Sequence, residues 1–273
     1  MHRTVIKAGQ TEKNYWRDLW KYRELFFILA WRDVTVRYKQ TVVGAAWALI
    51  QPLLTLAVFS VIFGLLAKLP SEGRAPYALM VAAAQLPWQF FANSLSSSSQ
   101  SLVNNSQLIS KVYFPRLIIP AGSVVTSLID FLISFVILLA MMVWFQFWPA
   151  ERMLVVPGLV LLAFLSSLGP GLLMTALTVR YRDFRFVIPF IVQFGLYISP
   201  VGFSSGIVPE EWRLLYSLNP MVGVIDGFRW AILGGESNIY WPGFTASLAM
   251  SALCLVVGVW YFRKTERTFA DVI

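Results

Sequence analysis

Residues 42–67 read VVGAAWALIQPLLTLAVFSVIFGLLA, a run of 26 residues without a charge. A helix rises about 1.5 Å per residue, so roughly 20 apolar residues cross a hydrocarbon core of about 30 Å. This stretch, Val42–Ala67, is long enough to span. Further apolar runs occupy Tyr77–Ser97, Leu117–Phe147, Leu154–Val179, Phe186–Pro200 and Trp241–Phe262. A 58% hydrophobic composition and a mean hydropathy of +0.66 agree. The pattern predicts an all-α integral membrane protein with six transmembrane helices.

Lys and Arg set the orientation, because short cytoplasmic segments hold an excess of them. With the N-terminus inside, residues 1–41, 98–116, 180–185 and 263–273 are cytoplasmic and carry 17 of the 22 basic residues. The other side keeps Lys68, Arg74, Arg152, Arg213 and Arg229. The expected topology is N-in, C-in. A cytoplasmic tail (1–41) precedes a six-span domain (42–262) and a second tail (263–273). Topology and attraction to anionic headgroups account for the net charge of +8 without a nucleic acid. Cys254 is the single cysteine, so no internal disulfide forms. A cleavable signal is not expected, because its apolar region would begin well before Val42.

Residues 14–40 place Trp16, Leu19, Trp20, Phe27, Trp31, Val34 and Tyr38 on one helical side, with Arg17, Asp18, Lys21, Arg32 and Lys39 on another. That pattern predicts a helix lying in the membrane interface. In the second span, Gln85, Gln89, Asn93, Ser96, Gln100, Asn104 and Gln107 share one face. Lipid would leave those amides unsatisfied, so they face protein or water. Interhelical hydrogen bonding and a wet path both fit. The third span holds Asp130, the single carboxylate within an apolar run, and pairing with a neighbouring helix is the expected use. In the short fifth span Phe186, Phe190, Phe194 and Tyr197 line up, as packing or as a platform on which sugar faces stack.

Between spans five and six lie two segments too short to cross. Pro209 opens one, containing Trp212. Asn219-Pro220 precedes the other, Met221 to Leu233, with Met221, Val224, Ile225, Phe228 and Ile232 on its apolar side and Asp226 and Arg229 off it. Two re-entrant or interfacial helices over an outer mouth are predicted.

Three separated motifs now form a pattern. They are Arg32-Asp33-Val34-Thr35-Val36-Arg37-Tyr38-Lys39-Gln40-Thr41 with Gly44, Trp47 and Gln51-Pro52-Leu53; Lys111-Val112-Tyr113-Phe114-Pro115-Arg116; and Asn219-Pro220-Met221 with Phe228-Arg229-Trp230. In this order the chain resembles the polysaccharide-exporting ABC-2 permeases over nearly its whole length. The resemblance implies a homodimer in the bacterial inner membrane, paired with two copies of a cytoplasmic ATP-binding subunit. Family members export lipid-linked O-antigen, capsule or teichoic acid chains. O-antigen is the expected cargo here, with a drug or small-lipid ABC-2 exporter as the alternative.

Under that reading Gln85, Gln89, Asn93, Ser96, Phe186, Phe190, Phe194 and Tyr197 border the translocation path. Arg32, Arg37, Lys39 and Arg116 receive a lipid pyrophosphate, whose oxygens suit guanidinium donors. Lys111, Tyr113, Arg180, Arg182 and Arg185 couple to the ATPase, and Trp212, Met221, Asp226, Phe228 and Arg229 form the outer gate. No G-x-x-x-x-G-K-[ST] loop occurs, so ATP and Mg are expected on the partner subunit. His2 and Asp130 stand apart, and no catalytic, cofactor or metal residues are expected in a chain read as a non-enzyme.

Overall fold

A computed structural model describes residues 15–39, 42–148, 151–233 and 238–269, apart from the side chains of residues 39, 42–45, 47 and 48. The tail ends, 1–14 and 270–273, lie outside the described residues, as does the Lys39 side chain of the expected lipid-pyrophosphate entrance. Every described element is helical. α1 (Tyr15–Lys21) and α2 (Arg23–Lys39) form an almost continuous rod, since Tyr22 N still donates to Asp18 O (3.0 Å). Trp16, Trp20, Phe27 and Trp31 are exposed on it, while Tyr15, Leu29 and Ala30 are buried against the bundle. Of the side expected to be apolar, these four rings are uncovered, whereas Leu19 packs against the bundle and Tyr38 bonds Asp130.

α3 (Val42–Phe59) continues as a π-helix through Ser60–Leu66. α4 (Tyr77–Asn104) overruns its expected end at Ser97 by two turns and is followed by α5 (Ser106–Lys111). α6 (Ile118–Trp144) and α7 (Val156–Arg180) are long and apolar; α8 (Phe184–Ile198) is short. α9 (Glu210–Tyr216) and α10 (Pro220–Ile232) precede α11 (Trp241–Thr265). Among the described residues, four helical stretches are long and apolar enough to cross a membrane: Leu49–Leu66, Ile118–Trp144, Glu151–Arg180 and Trp241–Thr268. Amides and serines lower the hydropathy of α4, and α8 has only 15 residues.

Packing centres on α4, α6, α7, α10 and α11. Small residues let the backbones meet, as is usual between membrane helices. A Cβ on Gly169 of α7 would lie 2.5 Å from Leu255 N of α11, and one on Gly171 would lie 2.6 Å from Ser98 Oγ of α4. Hydroxyls tie the same seams: Ser166 Oγ donates to Ser251 Oγ (2.8 Å) and Thr175 Oγ1 to Ser98 O (2.8 Å). Ile109, Phe114, Val179 and Phe262 share one apolar cluster, so the 105–117 loop, the end of α7 and the end of α11 meet at one end of the bundle. The start of α11, with α9 and α10, occupies the other end.

α10 is part of the core, for ten of its thirteen residues are buried. Asn219 caps it, accepting from Met221 N (3.0 Å), and Pro220 fills its first turn. Its polar side is also enclosed. Arg229 is fully buried, with NH1 donating to Phe203 O (2.8 Å) and NH2 to Val201 O (3.0 Å), and NH1 lies 3.4 Å from Glu72 Oε1. A guanidinium so supplied with acceptors can leave water.

Candidate functional site: an amide stripe, an aromatic face and two basic turns

The face of α4 carrying Gln85, Gln89, Asn93 and Ser96 looks toward α2, α3 and α6. Gln85 Nε2 donates to Pro52 O of α3 (3.1 Å), and its Oε1 is buried without a partner. Gln89 lines a crevice of only about 30 Å³ against Pro52, Leu56, Ser134 and Met141. Asn93 Nδ2 reaches Asp130 Oδ2 (3.4 Å). Asp130 also pairs with Arg37 NH1 (2.5 Å) and accepts from the Tyr38 hydroxyl, so α2, α4 and α6 join at one carboxylate. Burial and this carboxylate raise the Tyr38 hydroxyl well above its ordinary pKa, keeping it a donor.

Below that junction the stripe opens. Ser96, Gln100 and Asn104 of α4, Arg32, Asp33 and Arg37 of α2 and Thr126 of α6 border a cavity of about 750 Å³. Arg32 bonds Asp33 Oδ1 (2.7 Å) and Asn105 Oδ1 (2.8 Å), and Arg37 NH2 reaches Ser97 Oγ (3.4 Å). Two arginines thus sit in an open groove, each already on a carboxylate.

The α8 aromatics point elsewhere. Phe186 is 81% and Phe190 64% exposed, Phe194 and Tyr197 are likewise exposed, and Phe190 stacks on Phe194 with ring centroids 5.5 Å apart. Ile188 is buried, and Gly195 lies so close to Trp88 that a Cβ would come within 2.6 Å of its ring. Within one chain the amide and aromatic stripes do not face each other. The former is partly covered by the chain's own helices; the latter is bare.

At the basic end, Lys111, Tyr113, Arg180, Arg182 and Arg185 are exposed on two turns. Arg116 is engaged instead: its backbone N donates to Glu266 Oε1 (2.8 Å), and its guanidinium bonds Glu266 O. Tyr15 Oη also reaches Glu266 Oε1 (3.3 Å), and Arg263 covers the Tyr15 ring at 4.5 Å. The start of α1, the segment before α6 and the end of α11 are clasped together. Glu72 and Glu266, the partners of Arg229 and Arg116, escaped the sequence reading, as did the use of Tyr38 as a partner of Asp130. Each lies far along the chain from its partner, and no local spacing signals such pairs.

Of the outer-gate residues, Met221, Phe228 and Arg229 are buried in the core, whereas Trp212 of α9 is exposed. Burial raises the Asp226 carboxyl to about 6, against the lowering effect of nearby Arg229. Among the described residues no three His, Cys, Asp or Glu side chains gather as metal ligands.

Comparison with known proteins matches residues 24–233 to the family described as ABC-2 type transporter. The O-antigen export system permease protein RfbA of Klebsiella pneumoniae is 25% identical over 257 residues, covering 92% of this chain and 95% of that protein. The protein of the same name from Myxococcus xanthus is 25% identical over 263 residues, covering 94% and 98%. The inner membrane transport permease YadH of Escherichia coli strain K12 is 26% identical over 194 residues, covering 68% and 75%.

Proposed function

The chain belongs to the ABC-2 type transporter family, and from that premise we propose that it is the permease subunit of an exporter moving lipid-linked polysaccharide, O-antigen in the first instance, across the bacterial cytoplasmic membrane. Two copies act together with two ATP-binding subunits. Each copy contributes six spans: α3 with its π-helical end, α4, α6, α7, α8 and α11. Both termini are cytoplasmic, and α9 and α10 are re-entrant.

The observation that carries this reading is the open groove between α2, α4 and α6. Lipid leaves no use for amides, hydroxyls and arginines bordering a cavity, whereas a hydroxyl-rich chain with an anionic end has one. The anionic lipid carrier enters at Arg32 and Arg37, exchanging with Asp33 and Asp130 for the guanidinium donors. The bare α8 aromatics supply flat surfaces for the C–H faces of sugar rings, completed by the second copy. Contacts of both kinds are weak and repeated, which suits a polymer that must keep moving. The exposed turns at Lys111–Tyr113 and Arg180–Arg185 receive the motion of the ATPase. At the other end α9, with Trp212 outside, is the movable part of the gate, and buried α10 its frame.

The test is glycan export in cells making the cognate polysaccharide, with the permease replaced by Gln89→Ala or Phe190→Ala. Surface glycan should fall while the variants insert at wild-type levels. Unchanged export by both would remove these stripes from the path, and export of a small lipid in place of glycan would transfer the chain to the alternative branch.

A further inference from the structure

At the end of the bundle opposite the basic turns lies a second cavity, of about 300 Å³, between α9, α10 and the start of α11. Its size is at the small end of ligand pockets. Glu72, Ser205, Arg213, Tyr216, Asp226 and Tyr240 contribute to its walls, with Phe244 as an apolar patch. Neither Arg213 nor Arg229 is free to meet a ligand here, although Arg229 keeps a buried Nε without a partner behind the wall. Arg213 donates to Val208 O (2.9 Å) and Gly206 O (2.8 Å), and Arg229 behind the wall donates to Val201 O and Phe203 O and faces Glu72. The carboxylates keep some accepting capacity. Glu72 Oε2 is buried with no hydrogen-bond partner, and Asp226 is bonded by the Ser205 side chain.

Such a pocket keeps a carboxylate oxygen without a donor and has no free cation in its lining for an anion to meet. A hard divalent ion wants six or more oxygens, and here one of two carboxylates already faces a guanidinium. What fits is a neutral donor with an apolar face: adjacent hydroxyls donate in pairs to a carboxylate, and a ring C–H surface packs on tyrosine or phenylalanine. We propose that this cavity is a sugar subsite within each protomer, taking one neutral hexose or deoxyhexose unit through Asp226 and Glu72, with Tyr240 or Phe244 beneath the ring.

The ligand class rests on the export reading, under which this end is the exit side. A unit held here would be the part of the chain that has already crossed. Asn238, exposed at the rim, marks the opening.

The experiment is saturation-transfer NMR on the full-length protein with its ATPase in lipid nanodiscs, using free glucose, galactose, mannose, rhamnose and N-acetylglucosamine as probes. At least one should receive saturation in the wild type, and Asp226→Asn should weaken its binding at least about tenfold, the scale of a lost hydrogen bond to a charged group. Because Glu72 supports Arg229, the second variant is Asn238→Trp, which blocks the mouth without touching either carboxylate and should weaken binding comparably. No transfer to any of the five sugars, or transfer that survives both variants, overturns the subsite; so does binding of calcium in preference to every sugar. Glycan export by the same wild-type protein is read in parallel. Export without sugar binding sinks the subsite alone, and sugar binding without export sinks the transport reading alone.

Discussion

α4 and α8 invert the rule that holds in water. α4 carries five amides and a run of serines, yet 18 of its 28 residues are buried. α8 is rich in phenylalanine and isoleucine, yet only Ile188 is buried. In a hydrocarbon solvent apolar surface gains little by packing, while polar groups must find protein or water. Composition therefore says which helix is innermost, but with the sign reversed. The polar core of α4, α7, α10 and α11 should be sensitive to small changes, and the apolar periphery of α3 and α8 tolerant of large ones.

The sharpest way to break that contrast is Arg229→Ala. It removes the guanidinium that faces Glu72 and leaves two backbone carbonyls without its donors. A loss of about 3–5 kcal/mol is expected, as when one partner of a buried pair is deleted. In thermal unfolding in detergent this should appear as little or no folded protein. Arg229→Lys, with fewer donors in a different geometry, should rescue only part. A wild-type melting curve for Arg229→Ala would mean that the α10 core is not what holds the fold.

Next in size is Gly169→Ala. The added methyl meets the α11 backbone at Cys254 and Leu255, not a side chain that can turn away. Overpacking of this kind costs about 1–3 kcal/mol. The same change at Gly158, where no atom lies within 4 Å of the added Cβ, is the control and should leave the melting temperature in place.

How much of this was legible depends on the range of the interaction. Each apolar run became a helix within a few residues of its expected ends, except that α4 runs two turns past Ser97, and Asn219-Pro220 starts α10 through local capping. The amide register of α4 was also local, and it does lie along one side. What the pattern could not give was the neighbour. Gln85 finds a backbone carbonyl of α3, Asn93 finds Asp130, and Arg229 finds a loop glutamate 157 positions away. Nor could an aligned set of rings reveal that α8 turns them outward, because lipid, a second copy and a conduit all accept aromatics. Nor does the α10 pattern, with Asp226 and Arg229 off its apolar side, reveal that backbone carbonyls of residues 201 and 203 enclose Arg229.

Asp226 sharpens the comparison through pH. Its folded pKa of about 6 lies above the ordinary value of 3.8, so the folded protein binds more protons than the unfolded chain between those limits. This group's contribution to stability is then most favourable at low pH, declines as pH rises from about 4 to about 6, and is flat above about 7. The expected decline is roughly 1–3 kcal/mol. Unfolding of wild type and Asp226→Asn should be compared across that window, because the difference between them isolates this carboxyl. A difference that grows in the opposite direction would show Asp226 held ionised by Arg229, and the α10 core would then tolerate a second charge.

The smallest stability effect and the most diagnostic one fall on the same residue, Phe190. Its ring is largely exposed, so Phe190→Ala opens no cavity and loses only the stack on Phe194, roughly 0.5–1 kcal/mol. Stability cannot then say what the face touches, but thiol chemistry can. Replacing Cys254 by Ser leaves a cysteine-free background into which Phe190→Cys and Leu161→Cys are introduced singly. Leu161, on α7, is similarly exposed and serves as the lipid-facing reference. A water-soluble maleimide reacts with thiolate, which forms only where water reaches. If the α8 aromatics border a hydrated conduit, position 190 should label at least about tenfold faster than position 161 in the assembled transporter. Equal, slow labelling would place the rings in lipid or in a dry seam between copies. The exposed side of α8 would then be periphery in the full sense, and the amide side of α4 would have to carry the polymer alone.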